Sequence, residues 1–381
     1  MEAADKPCMD ALCKQSLCGT VLNVPEGMVP ESDTANLAIL SYNPKIYSKG
    51  RSPLEAMSMG LTMAEDDTAI RCNLVTVSEE EACYEDKTMI DHSADEISTE
   101  EAAQLVDALN EGFSAEDWRL YTGVSYRHCL LWKNASQNYP FMRPHDILGQ
   151  PIREYLPKTE NGGAAFLDFQ KKGYEILKNH PVNIARKAKG LRPANSPWLW
   201  SPGGKPALPS FGEKWGLSAA IISAVDLIKG IGICAGIQVI DVEGATGNFH
   251  TNYNGKAQAA ITAFKTGSDF VYIHVEAPDE CGHRGEAENK VRSIEQIDQK
   301  ILSPVYTYLK ETGEPFKILV LPDHPTPVAL RTHTSDYVPF FLYDSSAVQA
   351  GTPAFSEENA RRCDTVIDDG STLLDLMIKG Q

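Results

Sequence analysis

From Leu217 onward the chain alternates short apolar runs with amphipathic segments. Leu217–Ile222, Ile237–Val242, Asp269–Glu276, Phe316–Leu321 and Val338–Tyr343 read as strands. Ser223–Ala235, Gly255–Lys265, Glu286–Thr312 and Ser371–Ile378 read as helices, with Ser223 as a cap and Gly236 and Gly267 as stops. Such alternation specifies βαβ units and a mainly parallel sheet flanked by helices, an α/β fold. The first part of the chain is less regular. Met1–Cys18 reads as a helix, Thr20–Val24 as a short strand, Thr34 as the start of a helical turn, and Pro53–Gly60 as a helix. From about Asp67 the character changes. Ala69–Val77 alternates as a strand, and Ser98–Gly112 is a helix opened by a Ser98/Glu101 capping box. Trp118–Leu131 reads as a strand and Phe166–Asn179 as a helix. Pro193–Pro209, with five Pro and two Gly, reads as a loop or crossover.

Composition narrows the function classes. The 381 residues are 42% hydrophobic and 23% charged, as in a globular protein. A net charge of −17 argues against nucleic-acid or anionic-membrane partners, which need clustered Lys and Arg. A small phosphorylated substrate stays compatible with it. The nine Cys contain no C-x-x-C pair, which points to reduced thiols and a cytoplasmic protein. Leu217–Ile240 is broken by Asp226, Lys229 and Gln238 and is no membrane span. Gly230, Gly232 and Gly236 do not match a dinucleotide fingerprint, and Asp91, His92 and Asp95 read as a polar turn.

The candidate chemistry lies at two strand ends. Asp279 and His283 follow the Asp269–Glu276 strand in a D-x-x-x-H turn, Asp323 and His324 follow Phe316–Leu321, and His333 comes after a Pro-containing loop. One Asp/His pair caps a turn as readily as it binds a metal. Two pairs at successive strand ends, where α/β sheets gather their ligands, point to two divalent ions. Mixed carboxylate and imidazole donors suit Mn or Zn, with Mg less favoured.

These segments, Ala277–His283, Pro322–His324 and Arg331–Pro339, resemble the alkaline-phosphatase superfamily. Within it they resemble the archaeal-type, cofactor-independent phosphoglycerate mutases. The resemblance runs through Pro25–Leu37, Ile97–Ala102, Gly123–His128, Pro144–Gly149, Arg192–Ser196 and Ile222–Gly232, in order.

The resemblance implies a discontinuous alkaline-phosphatase-like core, residues 1–66 and 195–381, and an inserted α+β cap that holds substrate, residues 67–194. It implies one ion on Asp279, His283 and His333, and a second on Asp323, His324 and Ser32, with Ser32 as nucleophile. Manganese is the first expectation, zinc or magnesium the alternatives, and no bisphosphoglycerate is needed. The expected reaction interconverts 3-phosphoglycerate and 2-phosphoglycerate through phosphoserine, in glycolysis and gluconeogenesis. A phosphatase or other phosphomutase of the superfamily, or an inactive fragment, is the alternative. Arg127 and His128, then Lys229 and Arg331, are the substrate-binding candidates, and a homo-oligomer is allowed. The family also opens with a strand ending in an Asp-Gly turn, whose Asp is a further ligand. This chain starts at the segment after it, Glu2–Ala11, so the expectation is a sheet short of that strand and a second ion site short of that ligand.

Overall fold

Residues 1–113 and 116–380 are described by the structure, a computed structural model. In chain order its strands are β1 (Ser16–Val21), β2 (Asp67–Val77), β3 (Met89–Asp91), β4 (Trp118–Tyr121), β5 (Arg127–Lys133) and β6 (Ser196–Gly204). They continue as β7 (Ala219–Ile222), β8 (Gln238–Ile240), β9 (Phe270–Ile273), β10 (Lys317–Val320), β11 (Val338–Asp344) and β12 (Val366–Ile367). The chain divides into two units, Met1–Ser48 with Ala207–Gln381, and Lys49–Pro206.

The first unit holds two sheets. Strands β8, β7 and β9 are parallel, in that order. The second sheet runs β10–β11–β1–β12, with β11 antiparallel to both its neighbours and β12 parallel to β1. The single mainly parallel sheet expected from the pattern is therefore two sheets, one parallel and one mixed. The mixed character comes from β11, which follows β10 through a loop with no crossover helix. Helix Tyr253–Lys265 covers the parallel sheet. Its Ala257 and Ala260 let the backbone approach Ile222 closely, and Val305 of helix Ser303–Thr312 closes the cluster.

The second unit is built on an antiparallel sheet, β3–β2–β5–β4, with β6 also paired to β2. Alternation along β2 separates its faces. Ile70, Cys72 and Leu74 join Leu130, Trp132 and Leu199 in a core closed by Leu105 and Leu109 of helix Thr99–Phe113 and Phe166 and Phe169 of helix Ala164–Leu177. Arg71 and Asn73 point to the other face.

Four segments differ from the sequence expectation. The helix expected over Met1–Cys18 is confined to Pro7–Cys13, and Ser16 starts β1. The Ser16 hydroxyl donates to the Leu12 carbonyl at 2.7 Å and occupies a backbone acceptor at the helix end. Trp118–Leu131 is a hairpin of β4 and β5, turning through Ser125 at φ +57°. The Pro-rich stretch contains nine-residue β6, which among the described residues pairs with β2 alone, so its prolines sit on an edge strand that needs no second ladder. Glu286–Thr312 is not one α-helix. Ala287–Ile297 passes through a π turn, Asp298–Leu302, into Ser303–Thr312, because Pro304 lacks the N–H an α-helix needs there.

Candidate active site

Strand β9 leads into helix Ala277–Arg284. The D-x-x-x-H segment, expected as a turn, is this helix, so Asp279 and His283 stand one turn apart on the same face. Pro278 suits the first turn, and Gly285 at φ +74° ends the helix in the left-handed conformation. His283 Nδ1 donates to the Arg331 carbonyl at 3.1 Å, and His333 Nδ1 to the Pro30 carbonyl at 2.7 Å. These bonds fix both rings with their Nε2 atoms turned inward. The two Nε2 atoms are 2.8 Å apart, and each lies 3.2 Å from an Asp279 carboxylate oxygen. Two imidazole lone pairs at that separation need a proton or a cation between them. Asp279, His283 and His333 present their ligand atoms within 4.8 Å of one another, as a metal triad requires. Burial opposes ionisation of Asp279, but hydrogen bonds from His333 and Thr326 and the charges of the two histidines hold its pKa down at about 2. Burial likewise opposes protonation of His333, yet the bond to Asp279 raises its pKa.

Ser32 is the first residue of helix Ser32–Ile39, with Glu31 as the N-cap. Its Oγ lies 3.3 Å from His324 Nε2. Asp323 is held on both oxygens: Oδ1 accepts from the His324 amide and Oδ2 from Asn36 Nδ2, each at 2.9 Å. Asn36 sits one helical turn after Ser32, also donates to the Ser32 carbonyl at 2.8 Å, and accepts from the Tyr272 hydroxyl of β9 at 2.5 Å. Burial raises the Tyr272 pKa, which keeps its hydroxyl a donor. The two groups of residues meet. The Thr326 hydroxyl donates to Asp279 and lies 3.4 Å from His324 Nδ1, and the rings of His324 and His333 are 3.9 Å apart between centroids. Ser32, Asp279, His283, Asp323, His324 and His333 thus form one continuous cluster within the first unit.

A family model described as 2,3-bisphosphoglycerate-independent phosphoglycerate mutase matches residues 13–183. A protein of that description from Methanosarcina barkeri is 43% identical over 383 residues, a match that takes in 100% of this chain and 94% of the relative. The chain belongs to this family. A protein from Archaeoglobus fulgidus described as 2,3-bisphosphoglycerate-independent phosphoglycerate mutase 1 is 34% identical over 367 residues, 94% of this chain and 88% of the relative. A solved structure from Pyrococcus horikoshii superposes with a TM-score of 0.80 at 26% identity, covering 99% of this chain and 90% of the other. The cofactor-independent phosphoglycerate mutase of Thermoplasma acidophilum shares the fold, with a TM-score of 0.65 at 24% identity over 99% of this chain and 92% of that one.

The other candidate residues of this phosphoglycerate mutase family member lie elsewhere. Lys229 pairs with Asp241 at 2.6 Å. Arg331, at φ +55°, acts on the cluster through its carbonyl, while its guanidinium lies over Gly285. Arg127 is exposed at the start of β5, 5.7 Å above the Tyr126 ring. His128 is buried, accepts from the Gly123 amide at 3.2 Å, and has its pKa pushed down to about 3 by burial. Sequence reasoning missed Asn36 and Thr326. The one available signal was spacing, Asn36 four residues after Ser32 and Thr326 two after His324. It also missed Arg71, on the same face of the second unit's sheet as Arg127, whose guanidinium pairs with Glu55 at 3.1 Å and covers Trp200. No helix among the described residues is long and apolar enough to cross a membrane.

Proposed function

We propose that this chain interconverts 3-phosphoglycerate and 2-phosphoglycerate without added 2,3-bisphosphoglycerate. The observation that carries the reading is Ser32 at a helix N-terminus, 3.3 Å from His324 and joined to two Asp/His sets, in a chain 43% identical to such mutases over its whole length. The Ser32 hydroxyl loses its proton and takes the phosphoryl group, which leaves glycerate. The other hydroxyl of glycerate then attacks phosphoserine and restores Ser32. Amide groups in the first turn of helix Ser32–Ile39 face an anion bonded to Ser32 Oγ. Asp279, His283 and His333 fit one divalent ion: both Nδ1 protons are tied to carbonyls, and the Nε2 pair needs a cation between its members. Asp323, His324 and Ser32 would hold a second. Manganese suits this donor set best, with zinc or magnesium as alternatives. Ions bound there supply electrostatic stabilisation of the transferring phosphoryl group and lower the serine pKa.

The core is read as alkaline-phosphatase-like, and the inserted unit as the substrate domain. There Arg71 and Arg127 lie on one sheet face with Asn73, and Arg is suited to bidentate recognition of a carboxylate. Lys229 and Arg331 remain secondary candidates, and buried His128 positions the strand rather than the ligand. A soluble glycolytic and gluconeogenic enzyme in the cytoplasm is the setting this reading gives. The test is turnover of 3-phosphoglycerate by the manganese-loaded chain without bisphosphoglycerate, followed by phosphorus NMR, with Ser32→Ala as control. Formation of 2-phosphoglycerate that the control lacks is the expected result. No turnover by folded, metal-loaded protein, or free phosphate as the only product, refutes it.

A further inference from the structure

Thiols are nucleophiles that the active-site reading leaves unused, and the chain has nine free cysteines. Among the described residues, Cys13 and Cys18 alone bring their sulfurs into contact, 3.3 Å apart. Cys13 ends helix Pro7–Cys13 and Cys18 lies in β1, so the turn at Lys14 and Gln15 carries both thiols to one point. The loop after β11, exposed over residues 346–350, docks on that turn. The Gly351 amide donates to the Lys14 carbonyl at 3.1 Å, and a Cβ at Gly351 would run into the Cys13 and Ser16 carbonyls. Thr352 then sets its hydroxyl 3.1 Å from Cys13 Sγ. These neighbours also decide which sulfur ionises. The Cys13 thiol donates to Cys18, and Thr352 adds its amide and hydroxyl; together they outweigh burial and hold the Cys18 pKa down at about 6. Donating that bond raises the Cys13 pKa.

We propose that Cys13 and Cys18 form an oxidation site, which hydrogen peroxide converts to an intramolecular disulfide. The Cys18 thiolate attacks one peroxide oxygen. An S–O bond forms, the O–O bond breaks, and the departing oxygen takes a proton from solvent and leaves as water. The Cys13 sulfur then attacks Cys18 Sγ. The S–S bond forms, the S–O bond breaks, and the hydroxyl leaves with the Cys13 proton as a second water. Two thiols lose two electrons, and one peroxide is reduced to two waters. The resolving sulfur stands 3.3 Å away, so the pair contracts by about 1.3 Å to reach a disulfide bond of about 2.0 Å. A partner this close captures the sulfenic acid before a second peroxide reaches it. The other cysteines lack this arrangement. Burial pushes the Cys72 and Cys129 thiols up, and Cys83 is exposed with no sulfur beside it among the described residues. The disulfide ties helix Pro7–Cys13 to the start of β1. Two residues past the other end of β1, Asn23 donates to the Asp323 carbonyl at 2.9 Å, so the tether is on a strand that supports the active site.

Peptide mapping of the full, metal-free chain tests this. The protein is treated with hydrogen peroxide, raised until some thiol is consumed, then alkylated and digested with trypsin. Lys14 separates the two cysteines, so the disulfide joins peptide Met1–Lys14 to peptide Gln15–Lys45. Cys8 shares the first peptide, so Cys8→Ser and Cys13→Ser are run beside the parent. The joined pair is the first disulfide to appear in the parent and in Cys8→Ser, about tenfold or more faster than any other, and dithiothreitol reverses it. Its yield falls about tenfold or more in Cys13→Ser, and its rate falls by a similar factor in urea, where the fold no longer holds the sulfurs together. Consumption of other thiols without this link overturns the proposal. Equal yield in Cys13→Ser assigns the link to Cys8 and overturns it. A rate in urea equal to that of the folded chain shows that closeness in sequence is enough, and overturns it as well.

Discussion

Thr326 ties the two Asp/His sets together, and its removal has a calculable effect. The side chain is 4% exposed, its hydroxyl donates to Asp279, and it touches His324 Nδ1. Thr326→Val keeps the shape and deletes the donor. The lost bond is one to a charged acceptor, worth about 1.5–3 kcal/mol. Asp279 then moves up from about 2 toward the ordinary carboxylate range, since the proton competes better once a donor to the anion is gone. Loss of such a supporting contact weakens metal binding by about 10–100-fold. Isothermal titration with manganese at pH 7 reads that loss directly. Urea unfolding of the metal-free protein reads the stability cost, about 1–3 kcal/mol for a carboxylate left short of a partner. Thr326→Ser restores the donor and recovers most of the affinity, which separates hydrogen bonding from packing. Binding by Thr326→Val within about twofold of the parent would show that Thr326 does not support Asp279 as a ligand.

Two further outcomes follow from the structure. Burial opposes ionisation of Glu55, but the Arg71 and Arg51 charges lower its pKa below 4.5. Its contribution to stability is therefore present above pH 4.5 and is lost as pH falls through the lowered folded value. Glu55→Gln costs about 1–3 kcal/mol at pH 7, and the gap to the parent narrows as pH falls below 4.5 in urea unfolding at stepped pH; a gap that stays constant contradicts the pairing. Gly285→Ala places a side chain at φ +74° and a Cβ 2.8 Å from Arg331 Nε, for a loss of about 1–2 kcal/mol by urea unfolding. Unchanged stability means that the left-handed turn ending helix Ala277–Arg284 is not held.

Residue chemistry made part of the site legible. Asp279, His283, Asp323, His324 and His333 belong to the few types that ligate metals, and their positions after apolar runs placed them at strand ends, where the structure brings them together. Ser32 was visible through the resemblance alone, because a serine after Pro30 and Glu31 looks like any helix start. Asn36 and Thr326 were invisible for a different reason. They are neutral, common residues whose role is to hold a carboxylate through contacts 287 and 47 residues away in sequence. Local patterning found five strands after Leu217 and most of the helices, but not helix Ala277–Arg284 or the split into two sheets, since strand order depends on which edges meet. The Pro-rich β6 was misread because proline is costly in a central strand, and nothing local marks an edge. His128 looked like a polar position beside Arg127. Strand alternation, once the register of β5 against β2 is known, sends it into the core opposite Cys72.

The π turn at Asp298–Leu302 also bears on the order in which the protein is built. It aims the buried Asp298 carboxylate at the first turn of helix Pro7–Cys13, where it accepts the Met9 amide at 2.6 Å and the Cys8 amide at 3.2 Å. The acceptor that completes this early helix is thus encoded about 290 positions after it. During synthesis the amino-terminal segment emerges long before its partner. The uninterrupted segment Lys49–Pro206 has every strand of its own sheet available by then. Translation therefore delivers the inserted unit first. The first unit must wait with helix Pro7–Cys13 short of this acceptor until the ribosome has passed Asp298, the first residue of the π turn.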